Sequence, residues 1–181
     1  MHIYLSLGHA IYKNGDISSA SGFVNEYKYN KELIEKIAKK LKNKGHKVDI
    51  IKCPEKEFTC PEDEEKYKLK MASLKKYDIG VELHLNSYDG KAKGAETLYY
   101  PTSTKGKKLA TCIQNRLKKE FTDRGIKERP GLYMLRKTSF PMVLVESFFC
   151  DNKEDCNRVT KDRLAQLIAN GIHEYTTKAN E

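Results

Sequence analysis

One run of residues restricts the fold before anything else. Pro141-Met142-Val143-Leu144-Val145-Glu146 is apolar at nearly every position until it meets an acid. A strand that faces water on one side alternates, whereas a run without alternation reads as a strand buried on both faces. Residues 78–86 show the contrasting pattern. Ile79, Val81, Leu83 and Leu85 share one face, and Gly80, Glu82, His84 and Asn86 share the other. Shorter strands are expected at 3–7, 48–51 and 94–100, with another around 132–135.

Helical spacing fills the intervals. Tyr27, Asn30, Ile34, Ile37, Ala38 and Leu41 recur at three- and four-residue steps, and Gly45 suits the cap that ends them. Pro61 and the acids Glu62, Asp63, Glu64 and Glu65 open a second helix, with Tyr67, Met71 and Leu74 as its apolar stripe. Leu109, Ile113, Leu117 and Phe121 mark a basic amphipathic helix. Leu164, Leu167, Ile168, Gly171, Ile172 and Tyr175 mark the last one. With no internal repeat and no long linker, alternating strands and helices predict a single α/β domain around a central sheet.

Composition narrows the partners. The 181 residues carry 34 Lys+Arg against 25 Asp+Glu, a formal charge of +9. Such a surplus draws polyanions, nucleic acid among them. However, 28 of the 34 basic residues are lysines, and bidentate reading of bases or phosphates favours arginine. A mean hydropathy of −0.71 and the lack of a long apolar run exclude a membrane-spanning helix. The first eight residues have no basic segment and too short an apolar stretch for a signal peptide. Cys53, Cys60, Cys112, Cys150 and Cys156 include no C-x-x-C pair, and reduced thiols are expected.

Three chemically active side chains fall at strand ends. His9 follows the first strand, His84 lies near the end of the alternating strand, and Glu146 closes the apolar run. In open α/β sheets the ligand crevice lies beyond the carboxyl ends of the strands. If the three strands are parallel neighbours, these side chains meet at one rim. Glu26 joins them, because it opens the helix that follows the loop after His9. Two imidazoles and a carboxylate form a set suited to catalytic zinc, and a further carboxylate can move protons for amide hydrolysis. Taken alone, His9 also reads as a turn histidine and Glu26 as an acid favoured at a helix start. A polar His84 on a central strand and an acid after an apolar run are harder to explain without a site. His2, His46 and His173 read as structural or solvated.

Four motifs in order carry a resemblance: Leu7-Gly8-His9, Val24-Asn25-Glu26, Leu83-His84-Leu85-Asn86 and Val145-Glu146-Ser147-Phe148-Phe149. Together they resemble the zinc-dependent N-acetylmuramoyl-L-alanine amidases of the type-3 family, and among these the catalytic domains of clostridial phage endolysins. The resemblance implies a mixed, mostly parallel sheet of about six strands with helices on both faces. It implies one zinc ion held by His9, Glu26 and His84, with Glu146 as catalytic acid/base. The implied reaction cleaves the amide between N-acetylmuramic acid and L-alanine in peptidoglycan. The family commonly has a small residue, often serine, where this chain has Glu82. That carboxylate either orients a metal ligand or points to solvent.

Endolysins commonly add a wall-binding domain after the catalytic one; here a single catalytic domain over residues 1–181 is expected, with a tail at 179–181 and no wall-binding domain. An endolysin without a signal peptide is made in the host cytoplasm and released to the wall. Its partner is then the anionic Gram-positive wall, with neither nucleic acid nor membrane expected. Two other readings compete. A zinc carboxypeptidase or other peptidoglycan peptidase would need an arginine for the terminal carboxylate, for which Arg116, Arg124, Arg129 and Arg136 are candidates. A basic module binding wall polymer or nucleic acid would use His84 and Glu146 only as buried structural polars.

Overall fold

Strand β1, His2–Leu7, is apolar enough to be buried along nearly its whole length, and it becomes the hub of one half of the sheet. It pairs in parallel with β2, Lys47–Ile51, on one side and with β3, Ile79–Asn86, on the other. The unalternating run becomes β6, Met142–Phe149, which lies parallel to β3. Strand β4, Ala95–Tyr99, runs antiparallel to β6 and parallel to the edge strand β5, Asp123–Glu128. The spatial order is β2-β1-β3-β6-β4-β5. This is the expected mixed, mostly parallel six-stranded sheet. The computed structural model describes residues 1–178, so the tail expected at 179–181 lies outside the described residues.

Helices cover both faces. Helix α1, Glu26–Asn43, begins where the Asn25 side chain accepts a hydrogen bond from the Lys28 amide, and Gly45 beyond its end has a φ of +82°. Together with α3, Thr104–Leu117, and α6, Lys161–Lys178, it buries the larger apolar cluster against Ile79, Val81, Leu83 and Leu85. The opposite face carries a smaller cluster under α2, Pro61–Ser73, and α4, Tyr133–Lys137. A one-turn helix α5, Lys153–Cys156, follows β6. No described helix is long and apolar enough to cross a membrane. All five cysteines are free thiols.

Two local expectations are corrected, and one strand is added. The strand expected around 132–135 is helix α4, because an apolar run that short does not distinguish strand from buried helix. Strand β5 goes unsignalled in the sequence: Asp-Arg-Gly-Ile-Lys-Glu is a polar edge strand without a buried face to reveal it. The buried side of α2 is Glu64, Lys68 and Ala72, whereas Leu74 is 60% exposed. Periodicity misplaces that face because its buried members are charged. The basic residues Lys105, Lys107 and Lys108 are exposed at the start of α3. Tyr99 packs into the core.

Gly171 measures the tightness of the larger cluster. A methyl group there would lie 2.6 Å from the Ile113 backbone, so α3 and α6 meet at a contact only glycine permits. Gly171→Ala is expected to lower stability by about 1–3 kcal/mol in denaturant unfolding, despite alanine's better helix propensity. Gly131→Ala, where an added methyl meets nothing, should change stability little.

Candidate active site

The parallel pairings deliver three strand ends to one rim. Gly8 and His9 leave β1, His84 lies in β3, and Glu146 lies in β6 directly across from His84 in the register. Strand β6 runs on to Phe149, so Glu146 is an internal strand residue and does not end the strand. Approach between β1 and β3 is close here. A methyl on Gly8 would lie 2.3–2.8 Å from ring atoms of His84, so the position admits only glycine. His9 has a φ of +67°, a backbone state costly for a residue with a Cβ and a recurrent form of strain at functional sites.

Glu26 reaches this rim from the first turn of α1. Its Oε2 accepts from the Ala20 amide at 3.0 Å and its Oε1 from the Leu85 amide at 3.0 Å. These two bonds fix a carboxylate that is 2% exposed. Its Oε1 lies 3.0 Å from His9 Nε2 and 3.1 Å from His84 Nδ1, and the two nitrogens are 3.2 Å apart. Among the described residues, His9, Glu26 and His84 are the group of side chains able to share a metal ion. The spacing fits one. A tetrahedron with metal–ligand bonds of about 2.0–2.1 Å has edges of about 3.3 Å, and His₂Glu is a zinc-type donor set.

The electrostatics divide the carboxylates into two kinds. Burial opposes ionisation of Glu26, but hydrogen bonds from His84 and His9 outweigh it and hold the carboxyl well below its usual range. Glu82 behaves alike: burial is overcome by Lys68, His84 and Ser6. Burial would lower the His84 pKa, yet the carboxylates of Glu26 and Glu82 raise it to about 10. Glu146 goes the other way. Burial, assisted by the charges of Glu26, Glu96 and Glu82 and opposed by His84, raises it to about 7. Its Oε2 atom is buried without a hydrogen-bond partner. An acid that titrates near neutrality beside a metal-type cluster is suited to accept and return a proton.

Glu82 points inward. Its Oε1 is 3.0 Å from His84 Nε2 and 3.2 Å from Lys68 Nζ, and its Oε2 accepts from Ser6 Oγ at 3.0 Å. Sequence reasoning missed Lys68 and also Ser18, whose Oγ is 3.3 Å from His9 Nδ1. It missed Glu96, the register partner of Glu146; Arg124, a candidate only for gripping a terminal carboxylate, bonds Glu96 and stacks over Phe149 at 4.9 Å. Lys68, Glu96 and Arg124 offered only their charge in the sequence, and Ser18, in a loop, offered no signal. A cleft of about 170 Å³ opens beside the cluster, lined by His9, His84, Lys68, Glu82, Tyr133 and Leu144 among others. The other histidines stand apart: His2 bonds Asp49, and His46 contacts His173 at 3.0 Å.

A sequence profile of the N-acetylmuramoyl-L-alanine amidase family matches residues 3–176. Among solved structures, the catalytic domain of an endolysin targeting Clostridia difficile superposes with a TM-score of 0.93 at 44% identity, over 96% of this chain and 97% of that one. An uncharacterized cell wall amidase of Bacillus anthracis is 36% identical over 122 residues, which is 60% of this chain and 23% of the relative. The endolysin of Bacillus phage SPP1 is 37% identical over 111 residues, covering 57% of this chain and 40% of that protein. The matched part is therefore less than half the length of these two curated relatives.

The raised pKa of Glu146 has a measurable consequence in protein stripped of metal by chelation. An acid whose pKa rises on folding binds its proton more tightly in the folded state. Its contribution to stability is complete below the ordinary carboxylate value and declines as pH rises toward 7. Relative to Glu146→Gln, the wild type should therefore lose stability between about pH 4.5 and 7 and then level off. Denaturant melts of both proteins across that window check this.

Proposed function

The chain belongs to the N-acetylmuramoyl-L-alanine amidase family, and we propose that it is an endolysin-type, zinc-dependent enzyme cutting peptidoglycan between N-acetylmuramic acid and L-alanine. The observation carrying this reading is the convergence of His9, Glu26 and His84 on one point, with Glu146 directly across from His84 in the register. The similarity to an endolysin catalytic domain over nearly the full length of both chains supports the same class.

In this reading His9, Glu26 and His84 would hold the zinc ion. Zinc, when bound, supplies Lewis acidity that polarises a carbonyl and lowers the pKa of water. The rest falls to the protein. Glu146 takes a proton from the attacking water and delivers it to the departing alanine nitrogen, so no covalent intermediate on the enzyme is required. The two backbone amides on Glu26 keep it from swinging toward solvent. The lining from α4 gives the cleft an apolar wall on which the lactyl–peptide junction can lie.

The peptidase reading needs an arginine free to grip a terminal carboxylate. Arg124, which lies beside the site, is engaged by Glu96 and Phe149, and Arg116 pairs with Glu174 on α6. Product analysis separates the two: an amidase releases peptides with a new alanine amino terminus and an intact carboxyl end.

Glu146→Gln should retain zinc and lose about 10²–10⁴-fold in turnover. Turbidity loss of clostridial walls, with and without chelator, checks this, and a near-wild-type rate would remove Glu146 from the mechanism. The charge of +9 gives a second expectation. Attraction to an anionic wall is screened over about 10 Å at 0.1 M salt. Activity on whole walls should fall with added salt more steeply than activity on a small soluble muropeptide.

A further inference from the structure

Helix α2 buries two ionisable side chains in a single stripe. Glu64 and Lys68 are each 4% exposed and stand one turn apart on the same side of the helix. Burying such groups costs several kcal/mol unless each is paired. Their partners lead to the two histidines of the cluster. Glu64 Oε1 accepts from Ser18 Oγ at 2.6 Å, and that oxygen is 3.3 Å from His9 Nδ1. Lys68 Nζ is 3.2 Å from Glu82 Oε1, which is 3.0 Å from His84 Nε2.

We propose that α2 sets the hydrogen-bond polarity of both histidines, with Glu64 acting on His9 through Ser18 and Lys68 acting on His84 through Glu82. The inference rests on the metal reading above and adds positioning residues to it. The polarity follows from counting protons. Ser18 has one hydroxyl proton, and a carboxylate can only accept, so Ser18 spends that proton on Glu64. Toward His9 its oxygen can then only accept, which places a ring hydrogen on Nδ1 and leaves Nε2 to a metal ion in place of its contact with Glu26. On the other side, Lys68 holds Glu82 as an acceptor-only carboxylate. A ring hydrogen of His84 therefore sits on Nε2, and Nδ1 is the nitrogen left to a metal ion in place of its contact with Glu26.

The two rings thus present opposite nitrogens to one point, each held by hydrogen bonds that lead to the same helix. The Tyr4 hydroxyl donates to the Lys68 carbonyl at 2.9 Å and ties that turn of α2 to strand β1. Orientation of a ligating histidine through its second nitrogen typically carries about 10–100-fold in metal affinity.

The test compares wild type, K68M/E82L, K68M/E82Q and E64L. The double variants remove the buried pair without stranding either charge, and E64L leaves that pair intact. Two quantities are read: zinc affinity by chelator competition, and the ring protons of both histidines by long-range proton–nitrogen NMR of the zinc-loaded protein. Wild type should show protonated His9 Nδ1 and His84 Nε2, both in slow exchange. K68M/E82L should lose about 10–100-fold in zinc affinity and speed exchange at His84 alone. K68M/E82Q restores an accepting oxygen and should recover most of that loss. E64L should disturb the His9 proton and spare His84, an arm that stands even if K68M/E82L fails to fold. Zinc affinities within twofold across all variants, with unchanged ring-proton exchange, would overturn the inference while leaving the metal site standing. The inference falls equally if K68M/E82Q binds zinc as weakly as K68M/E82L. A wild type without zinc affinity would overturn the metal reading and the inference with it.

Discussion

Parallel pairing of β3 with β1 on one side and β6 on the other is the constraint on which everything else rests. It places three strand ends at one rim, so Gly8-His9, His84 and Glu146 become neighbours although far apart along the chain. The pairing is held by the burial of Ile79, Val81, Leu83, Leu85, Val143 and Val145 beneath α1, α3 and α6. A one-residue slip of β3 would turn Ile79, Val81, Leu83 and Leu85 to the polar face and carry His84 into the core. Hydrophobic alternation therefore fixes the position of the metal-type ligands as firmly as it fixes the fold.

The other face of β3 has to bury charge, and it does so by balance. Glu82 would be prohibitively costly beneath α2 without Lys68, and Lys68 would be equally costly without Glu82. Glu26 is stabilised by two amides and two imidazoles. Glu146 is the exception: it has an unpartnered oxygen and a pKa raised to about 7. The site thus separates carboxylates held ionised from one left poised to exchange a proton. Environment alone makes the difference, since the residue type is the same.

Much of this was legible in the sequence because its signal is periodic. The alternation of 79–86 assigned His84 and Glu82 to one face, and the run 142–145 announced a central strand. Glu26 was legible from its place at a helix start just after the His9 loop. The rest escaped for identifiable reasons. Periodicity weighs apolar residues, so the buried stripe of α2, made of Glu64 and Lys68, was displaced toward Tyr67, Met71 and Leu74. Strand β5 is polar on an exposed edge and offers no burial pattern. Residues 132–135 form too short an apolar run to distinguish helix from strand. Glu96 and Arg124 become neighbours of Glu146 only through the antiparallel pairing of β4 with β6, a tertiary fact with no local signature.

The spatial order of the strands also bears on the site. The last strand in sequence, β6, is not added at an edge but fills the gap between β3 and β4. On one side of that gap β1, β3 and helix α1 hold His9, His84 and Glu26. The sheet closes, and Glu146 arrives beside His84, only when β6 is inserted. Glu146 therefore reaches the ligand cluster only through the strand that completes the sheet.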